Sequence, residues 1–290
     1  MYFTLLISGL VIGSIYGLIA LGYSLIYKSS GLLSFVQGDI LTLGAFLGLT
    51  FYSYLGLPFI VSLLLTVICA VALGFALEKG VIRPLLNKNV ATVYIVLATI
   101  AISYIVQNGS MVVWGSITLN FPSIFGGAVI KVGSISVQPE AIMCILVGFI
   151  CMILLHFYMT KTKLGTSMRA ASMDAMAAES CGIDVSLSTG LSWGLSAGLA
   201  AIAGIMIGPI YGVYTTLGAV IGRKGFSSAV IGGYGNMYGA ILGGVILGLV
   251  ETFSASLISS TYKNLIAYCL LLVFLLVKPT GIFNEKAVRD

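Results

Sequence analysis

Charged residues are scarce in this sequence of 290 residues: they make up 8% of the chain, whereas hydrophobic residues make up 59%. A soluble globular domain usually has about 25% charged residues, so this composition excludes that class. The mean hydropathy of +1.12 points the same way. If each bilayer span takes about 20 residues, the chain has room for about nine. We therefore predict an all-α polytopic membrane protein, with one transmembrane domain over residues 1–290.

Residues that carry catalysis or bind metals are equally scarce. The chain has one histidine, and its five cysteines lack metal-ligand spacing or a CxxC pair. The sequence also contains no GxxxxGK[ST] loop, so any ATP chemistry must come from another protein. We predict no catalytic residue, no metal site and no cofactor on this chain, which argues against a membrane-embedded enzyme.

Basic residues lie mainly in the connections between apolar runs, a pattern that indicates cytoplasmic loops rather than nucleic-acid binding. Lys28 ends the first run and Lys278 follows the last, which predicts an external N-terminus and a cytoplasmic C-terminus. This orientation requires an odd number of crossings. The predicted nine are 3–27, 31–57, 58–77, 91–114, 139–160, 187–212, 213–236, 237–258 and 264–277, with an extracytoplasmic loop at 115–138 that includes one short hairpin.

The run 213–236 is the irregular one, because it is rich in glycine and carries Arg223 and Lys224 at its middle. A charged side chain at the centre of a membrane helix costs about 2.5 to 3.5 kcal/mol on insertion scales unless it is paired or hydrated. We predict a broken or re-entrant segment here. It either crosses as a broken helix or forms two half-helices that meet at an Arg-Lys turn on the outer surface.

The longest polar passage is the loop 161–186. Its basic residues predict a cytoplasmic location, and its alanine-rich part from Thr166 onward predicts a helix that stops near Gly182. A short helix between two spans on this side offers a contact surface for another protein. A plain surface loop is the alternative.

Two polar residues, Gln37 and Asp39, stand near the start of the second apolar run. Polar groups at membrane depth are tolerated where they are buried in protein or line a cavity. Both residues are therefore predicted to belong to a translocation pathway, and the alternative for Asp39 is that it caps the following helix.

Three elements of the sequence resemble the inner-membrane permeases of branched-chain amino acid ABC importers, of the LivH type. The stretch 9–39 is similar to their glycine-rich first span followed by an Asn-Phe-Ala-(His or Gln)-Gly-(Glu or Asp) element, with Ser34 and Val36 in place of Asn and Ala. The stretch 164–184 resembles their LGxAMRAxxxDxxxAxxxGI(D/N) loop. The stretch 225–251 resembles their element ending GAxxGGxxxGxxE. Urea and short-chain amide permeases share these motifs, so they remain an alternative.

The resemblance implies a permease in a bacterial or archaeal cytoplasmic membrane that works with other subunits. These partners would be two ATP-binding subunits that hold ATP and Mg²⁺, a second permease subunit of the paralogous LivM-like type and an extracytoplasmic substrate-binding protein. An ion-coupled secondary transporter is less favoured, because only Asp39 and Glu251 offer intramembrane carboxylates. The residues predicted for coupling to the ATPase are Met168, Arg169, Asp174, Ala178, Glu179 and Gly182. Those predicted for the translocation pathway are Gln37, Asp39, Phe226, Gly232 and Asn236.

Overall fold

The computed structural model describes residues 2–88, 90–126, 130–132, 135–278 and 280–283, and the regular elements among them are helices apart from one two-stranded hairpin. The C-terminal end predicted to be cytoplasmic, residues 284–290, lies outside the described residues. The elements are α1 Tyr2–Ser30, α2 Gln37–Leu49, α3 Phe59–Leu77, α4 Arg83–Asn87, α5 Thr92–Trp114, β1 Ile130–Val132, β2 Ile135–Val137, α6 Pro139–Lys161, α7 Lys163–Met173, α8 Ala175–Ser180, α9 Val185–Tyr211, α10 Leu217–Gly232, α11 Met237–Leu257 and α12 Lys263–Val277. A π-helical turn, Thr50–Tyr54, extends α2, and another, Glu78–Ile82, joins α3 to α4.

Seven helical stretches within the described residues are long and apolar enough to cross a membrane. They are α1, α3 with its extension to Asn87, α5, α6, α9, α11 and α12 with the 3-10 turn before it. They coincide with seven of the nine predicted spans. The two other predicted spans, 31–57 and 213–236, contain the shorter helices α2 and α10, so the count of nine stays a prediction.

Irregular backbone precedes each of the two short helices, at 31–36 and at 212–216. Leu32, Ser34 and Val36 are buried in the first of these segments, and Val213 is buried in the second. Nonhelical backbone at membrane depth is tolerated when protein surrounds it, because its free N–H and C=O groups then avoid contact with lipid. α2 and α10 are therefore short because part of each run is an irregular segment packed inside the bundle.

Arg223 and Lys224 both lie inside the continuous helix α10. The alternative in which two half-helices meet at an Arg-Lys turn is therefore wrong. The turn is unnecessary because Lys224 is paired within the protein, as described below.

Glycine contacts hold the central helices close together. α1 and α11 run antiparallel, and a Cβ on Gly13 would lie 2.9 Å from the Cα of Val245, while one on Gly244 would lie 2.5 Å from the Cα of Gly17. α2 and α9 approach equally closely at Gly44, where a Cβ would lie 2.5 Å from the Cα of Ala201. Small residues of this kind let membrane helices pack backbone to backbone. α1 and α9 consequently form the centre of the bundle, whereas α12 is largely exposed.

The predicted short hairpin in the loop 115–138 is confirmed. β1 and β2 pair antiparallel, with Ile130 opposite Val137. Earlier in the same loop, Leu119 and Val213 form an isolated antiparallel bridge, which ties this loop to the segment before α10. Residues 127–129 and 133–134 of the loop lie outside the described residues.

Candidate functional site: a membrane cavity and a pair of short helices

A cavity of about 400 Å³ lies where α2 and α10 begin. Its lining comes from α1, the segment before α2, α2, α5, α10 and α12. The lining residues are Tyr23, Phe35, Gly38, Asp39, Ile100, Ser103, Tyr104, Gln107, Gly218, Ala219, Gly222, Arg223, Phe226, Ser227, Tyr268 and Leu271. Two of the predicted pathway residues, Asp39 and Phe226, are among them.

The first turns of α2 and α10 touch at the cavity wall. A Cβ on Gly218 would overlap the carbonyl group of Gly38, and the backbone N–H of Gly218 donates a hydrogen bond of 2.7 Å to Oγ1 of Thr42. Only glycine at these positions lets the two backbones approach so closely. In many transporters the substrate site is formed by helices that are interrupted at membrane depth.

Asp39 is 3% exposed and lies in the first turn of α2. Its Oδ2 accepts a hydrogen bond from the Ser103 hydroxyl, whereas its Oδ1 has no hydrogen-bond partner among the described residues. The residue before α2 is Val36, and no side chain caps this helix. The alternative that Asp39 is a helix cap is therefore wrong, because its carboxylate is directed at α5 and the cavity rather than at the free amides of α2.

Aromatic rings form one wall of the cavity. Phe226 lies edge-on to Tyr23 with ring centroids 5.8 Å apart, and it lies 5.5 Å from the ring of Phe35. Arg223 is exposed one turn earlier on α10, and Tyr104 is exposed on α5, so the cavity opens to the surface of the chain beside them. The cavity therefore combines apolar rings, one buried carboxylate and one exposed guanidinium.

The three other predicted pathway residues do not line this cavity. Gln37 is fully buried and donates a 2.6 Å hydrogen bond from Nε2 to the carbonyl of Ser196 on α9. Gly232 packs against the backbone of Gly239, and the Asn236 side chain caps α11 by accepting from the N–H of Gly239 at 3.0 Å. These three residues join helices, because their side chains or Cα atoms are used in packing and capping. Their part in a translocation pathway stays a prediction.

A buried ion pair explains how α10 carries Lys224. Lys224 Nζ lies 2.5 Å from Oε1 of Glu251 on α11, and the two side chains are 4% and 5% exposed. The hydroxyl of Tyr16 on α1 donates to Oε2 of Glu251 at 2.8 Å. The lysine charge is thus compensated inside the bundle, which removes most of the cost that an unpaired charge would have there. No spacing in the sequence indicates this cluster, because its three members lie on three different helices.

The loop 161–186 forms two short helices, α7 and α8, instead of the single helix predicted from Thr166 onward. The break is at Asp174, whose backbone is extended and whose Oδ1 accepts from the N–H of Ala177 at 2.9 Å, so that it caps α8. A residue that caps a new helix cannot continue the previous one. Gly182 follows α8 with a φ of +80°, which confirms the predicted stop.

Burial divides the predicted coupling residues into two groups. Asp174, Glu179 and Gly182 are exposed and Arg169 is half-buried. Met168 and Ala178 are buried. These two face the membrane bundle, because α7 and α8 pack on α1, α6 and α9 along that side. The role of all six residues in coupling stays a prediction.

Two exposed methionines of this loop were missed by sequence reasoning. Met173 is 77% exposed and Met176 is 80% exposed, on either side of the Asp174 break. The alanine-rich pattern provided no reason to single them out, because one uninterrupted helix would have placed them differently. Neighbouring exposed apolar side chains can form part of a protein contact, whereas a single one needs no explanation.

The chain is similar to known proteins over nearly its whole length. The family model described as the permease component of the branched-chain amino acid transport system matches residues 5–275. The chain belongs to the branched-chain amino acid transport permease family. BraD of Pseudomonas aeruginosa, a high-affinity branched-chain amino acid transport system permease protein, is 31% identical over 301 residues, covering 99% of this chain and 97% of that protein.

Two relatives from other organisms are also similar to this permease over most of its length. LivH of Salmonella typhimurium is 32% identical over 296 residues, which cover 97% of the permease and 95% of LivH. The probable LivH of Methanocaldococcus jannaschii is 25% identical over 285 residues, which cover 91% and 87% of the two chains. These relatives are named as transport permeases, so the permease family is a non-enzymatic one, and the seven apolar helices make this member a multi-pass membrane protein.

A second ion pair of the permease lies at the start of α9. Glu78 is buried, and Arg83 donates to its Oε2 at 2.9 Å and to the carbonyl of Ser186 at 2.5 Å. Thr189 of α9 also donates to Glu78, at 3.2 Å. This cluster fixes the end of the α3 extension to the start of α9, directly after the loop that carries α8.

Proposed function

We propose that this permease is the membrane subunit of an ATP-driven importer that carries branched-chain amino acids. It would form the pathway together with a second permease subunit of the LivM-like type. Two ATP-binding subunits would hold ATP and Mg²⁺, and an extracytoplasmic binding protein would deliver the substrate. The observation that carries the proposal is full-length similarity to branched-chain amino acid permeases, joined to a cavity whose lining suits an apolar amino acid.

The proposed orientation has nine crossings, with the N-terminus outside and the C-terminus in the cytoplasm. α1 and α11 run antiparallel, as do α3 and α9, which agrees with the alternating directions that this orientation requires. α10 would bring the chain back from the outer side, where Val213 pairs with Leu119, to the cytoplasmic side. The loop carrying α7 and α8 would then face the cytoplasm.

The proposed contact surface for an ATP-binding subunit is the exposed side of α7 and α8. It consists of Arg169, Met173, Asp174, Met176 and Glu179. Arg169 is half-buried, and the part of it that remains exposed could pair with an acidic group on a partner. The exposed methionines suit a partner pocket because their flexible side chains adapt to irregular surfaces. Met168 and Ala178 would transmit movement from this surface to the bundle.

The proposal is tested by purifying the tagged permease in mild detergent from cells that express its partner subunits. We expect a nucleotide-binding subunit to purify with it, and we expect leucine uptake to stop when ATP is depleted. Purification without such a subunit, combined with uptake that survives ATP depletion and collapses with the ion gradient, would contradict the proposal and favour a secondary transporter.

The contact surface has its own test. We expect Met176→Glu to lower stimulated ATPase activity and uptake by about tenfold or more, because it places a charge in an apolar contact. Met176→Leu is the matched control and should keep most of the activity. Equal activity of the two variants would exclude Met176 from the contact surface.

A further inference from the structure

Two opposite charges line the cavity between α2 and α10. Asp39 lies in the first turn of α2, is buried, and has one carboxylate oxygen without a hydrogen-bond partner among the described residues. Arg223 lines the same cavity from the middle of α10 and is exposed. Within the part of the chain that the structure describes, the two residues form no ion pair with each other.

Each of these charges is unfavourable where it lies. A buried carboxylate oxygen that accepts no hydrogen bond has lost its water without a replacement. An arginine at the depth of a membrane helix is tolerated only beside water, a partner or a counter-charge. A ligand with a positive group and a negative group would compensate both residues at once.

The remainder of the lining is mostly apolar and aromatic. Phe226 is packed at 5.8 Å from Tyr23 and 5.5 Å from Phe35, measured between ring centroids. Small-molecule sites typically combine such apolar walls with a few polar groups that fix the orientation of the ligand, in volumes of about 300 to 1,000 Å³. The cavity, at about 400 Å³, has this size and composition.

We infer that this cavity binds the zwitterionic head group of an aliphatic α-amino acid. Oδ1 of Asp39 accepts hydrogen bonds from the ammonium group, Arg223 donates to the carboxylate, and the ring of Phe226 contacts the aliphatic side chain. This inference rests on the proposed function and makes it more specific, because it assigns amino-acid recognition to the permease itself. A neutral amide would leave both charges uncompensated, so the site selects against the urea and short-chain amide class.

Ligand binding to the purified importer complex, with the substrate-binding protein omitted, tests the assignment. L-leucine is the probe, and its two single-charge analogues are 4-methylpentanoate, which lacks the ammonium group, and 3-methylbutylamine, which lacks the carboxylate. We expect leucine to bind at least about tenfold more tightly than either analogue, since each lost group forms a charge-assisted hydrogen bond. Isobutyramide represents the neutral amides and should bind more weakly still.

The variants should lose discrimination in a residue-specific way. Asp39→Asn should lower leucine affinity by about tenfold or more and should no longer distinguish leucine from 4-methylpentanoate. Arg223→Gln should likewise lower leucine affinity and should no longer distinguish leucine from 3-methylbutylamine. Arg223→Lys keeps the positive charge and should therefore retain part of the leucine affinity. A general structural defect would weaken all ligands alike.

Two matched controls lie outside the cavity. Glu140→Gln neutralises another buried carboxyl group and Lys88→Gln neutralises an exposed base, and both should bind leucine like the unaltered permease. Size-exclusion chromatography and retention of the ATP-binding subunits check that each variant is intact.

Three results would overturn the inference: no leucine binding by the unaltered complex, equal binding of isobutyramide and leucine, or leucine affinities of intact Asp39→Asn and Arg223→Gln within about twofold of the unaltered value. Leucine uptake measured in parallel separates this failure from failure of the proposed function. ATP-dependent uptake with any of these three results leaves the importer assignment standing. Absence of ATP-dependent uptake by the unaltered complex contradicts the importer assignment itself.

Discussion

Replacing Glu251 with glutamine should destabilise the bundle by leaving the charge of Lys224 without its counter-ion. The two side chains are buried, and the Nζ to Oε1 distance is 2.5 Å. The amide oxygen of the introduced glutamine would still accept a hydrogen bond from Tyr16, so the substitution removes mainly the negative charge. The Glu251→Gln variant therefore isolates the electrostatic contribution of the cluster.

The magnitude follows from two opposing effects. At 2.5 Å the attraction is about 7 kcal/mol for an effective dielectric constant of about 20. Removing each ion from water costs several kcal/mol, so the intact pair adds little net stability. Loss of one partner leaves the other desolvated and unpaired, and we expect Glu251→Gln to lower the free energy of unfolding by about 3 to 5 kcal/mol.

Unfolding by SDS in mixed micelles, followed by tryptophan fluorescence, measures this loss. Trp193 is buried on the central helix α9 and reports the opening of the bundle. The double variant Lys224→Met with Glu251→Gln removes both charges and should be more stable than Glu251→Gln alone. Glu179→Gln, at an exposed position, should change stability by less than about 0.5 kcal/mol.

Additivity of the two losses would refute this coupling. The single variant Lys224→Met completes the comparison. If the free energy of unfolding lost by the double variant equals the sum of the losses in Lys224→Met and Glu251→Gln, the two charges do not interact in the folded protein. The coupling would also be refuted if Glu251→Gln lowered the free energy of unfolding by no more than Glu179→Gln does. Another group would then compensate the charge of Lys224.

Three further predictions use the same unfolding assay. Gly244→Ala places a Cβ 2.5 Å from the Cα of Gly17 and should cost about 1 to 3 kcal/mol, whereas Gly109→Ala, with nothing within 4 Å, should not destabilise the fold. Gly182→Ala should cost about 1 to 2 kcal/mol because of the φ of +80°, and Gly182→Asn should cost less. Arg83→Gln leaves buried Glu78 without its cation and should cost about 3 kcal/mol, a loss that Glu78→Gln added in the same chain should largely reverse. If adding Glu78→Gln does not restore the free energy of unfolding lost by Arg83→Gln, Arg83 stabilises the fold through its hydrogen bond to Ser186 instead.

The sequence alone determined the class of protein and most of its helical runs. Apolar runs of about 20 or more residues have few alternatives to a membrane helix, because the backbone must satisfy its hydrogen bonds within the segment. This constraint is local, and seven of the nine predicted runs appear as long helices at nearly the predicted positions. The motifs around Arg169 and Glu251 determined the family for a similar reason, since they are read directly from the chain.

Tertiary structure alone decided which polar residues meet. Lys224 and Glu251 form a pair, Asp39 meets Ser103, and Gln37 turns toward α9 instead of the cavity. Asp174 divides the loop 161–186 by capping a second helix, and Met173 and Met176 on either side of it are exposed, whereas Met168 is buried. In an apolar bundle the helical pattern is nearly the same on every face, so periodicity does not show which side of a helix faces which neighbour. Close glycine contacts between helices set those faces, and they depend on residues far apart in the chain.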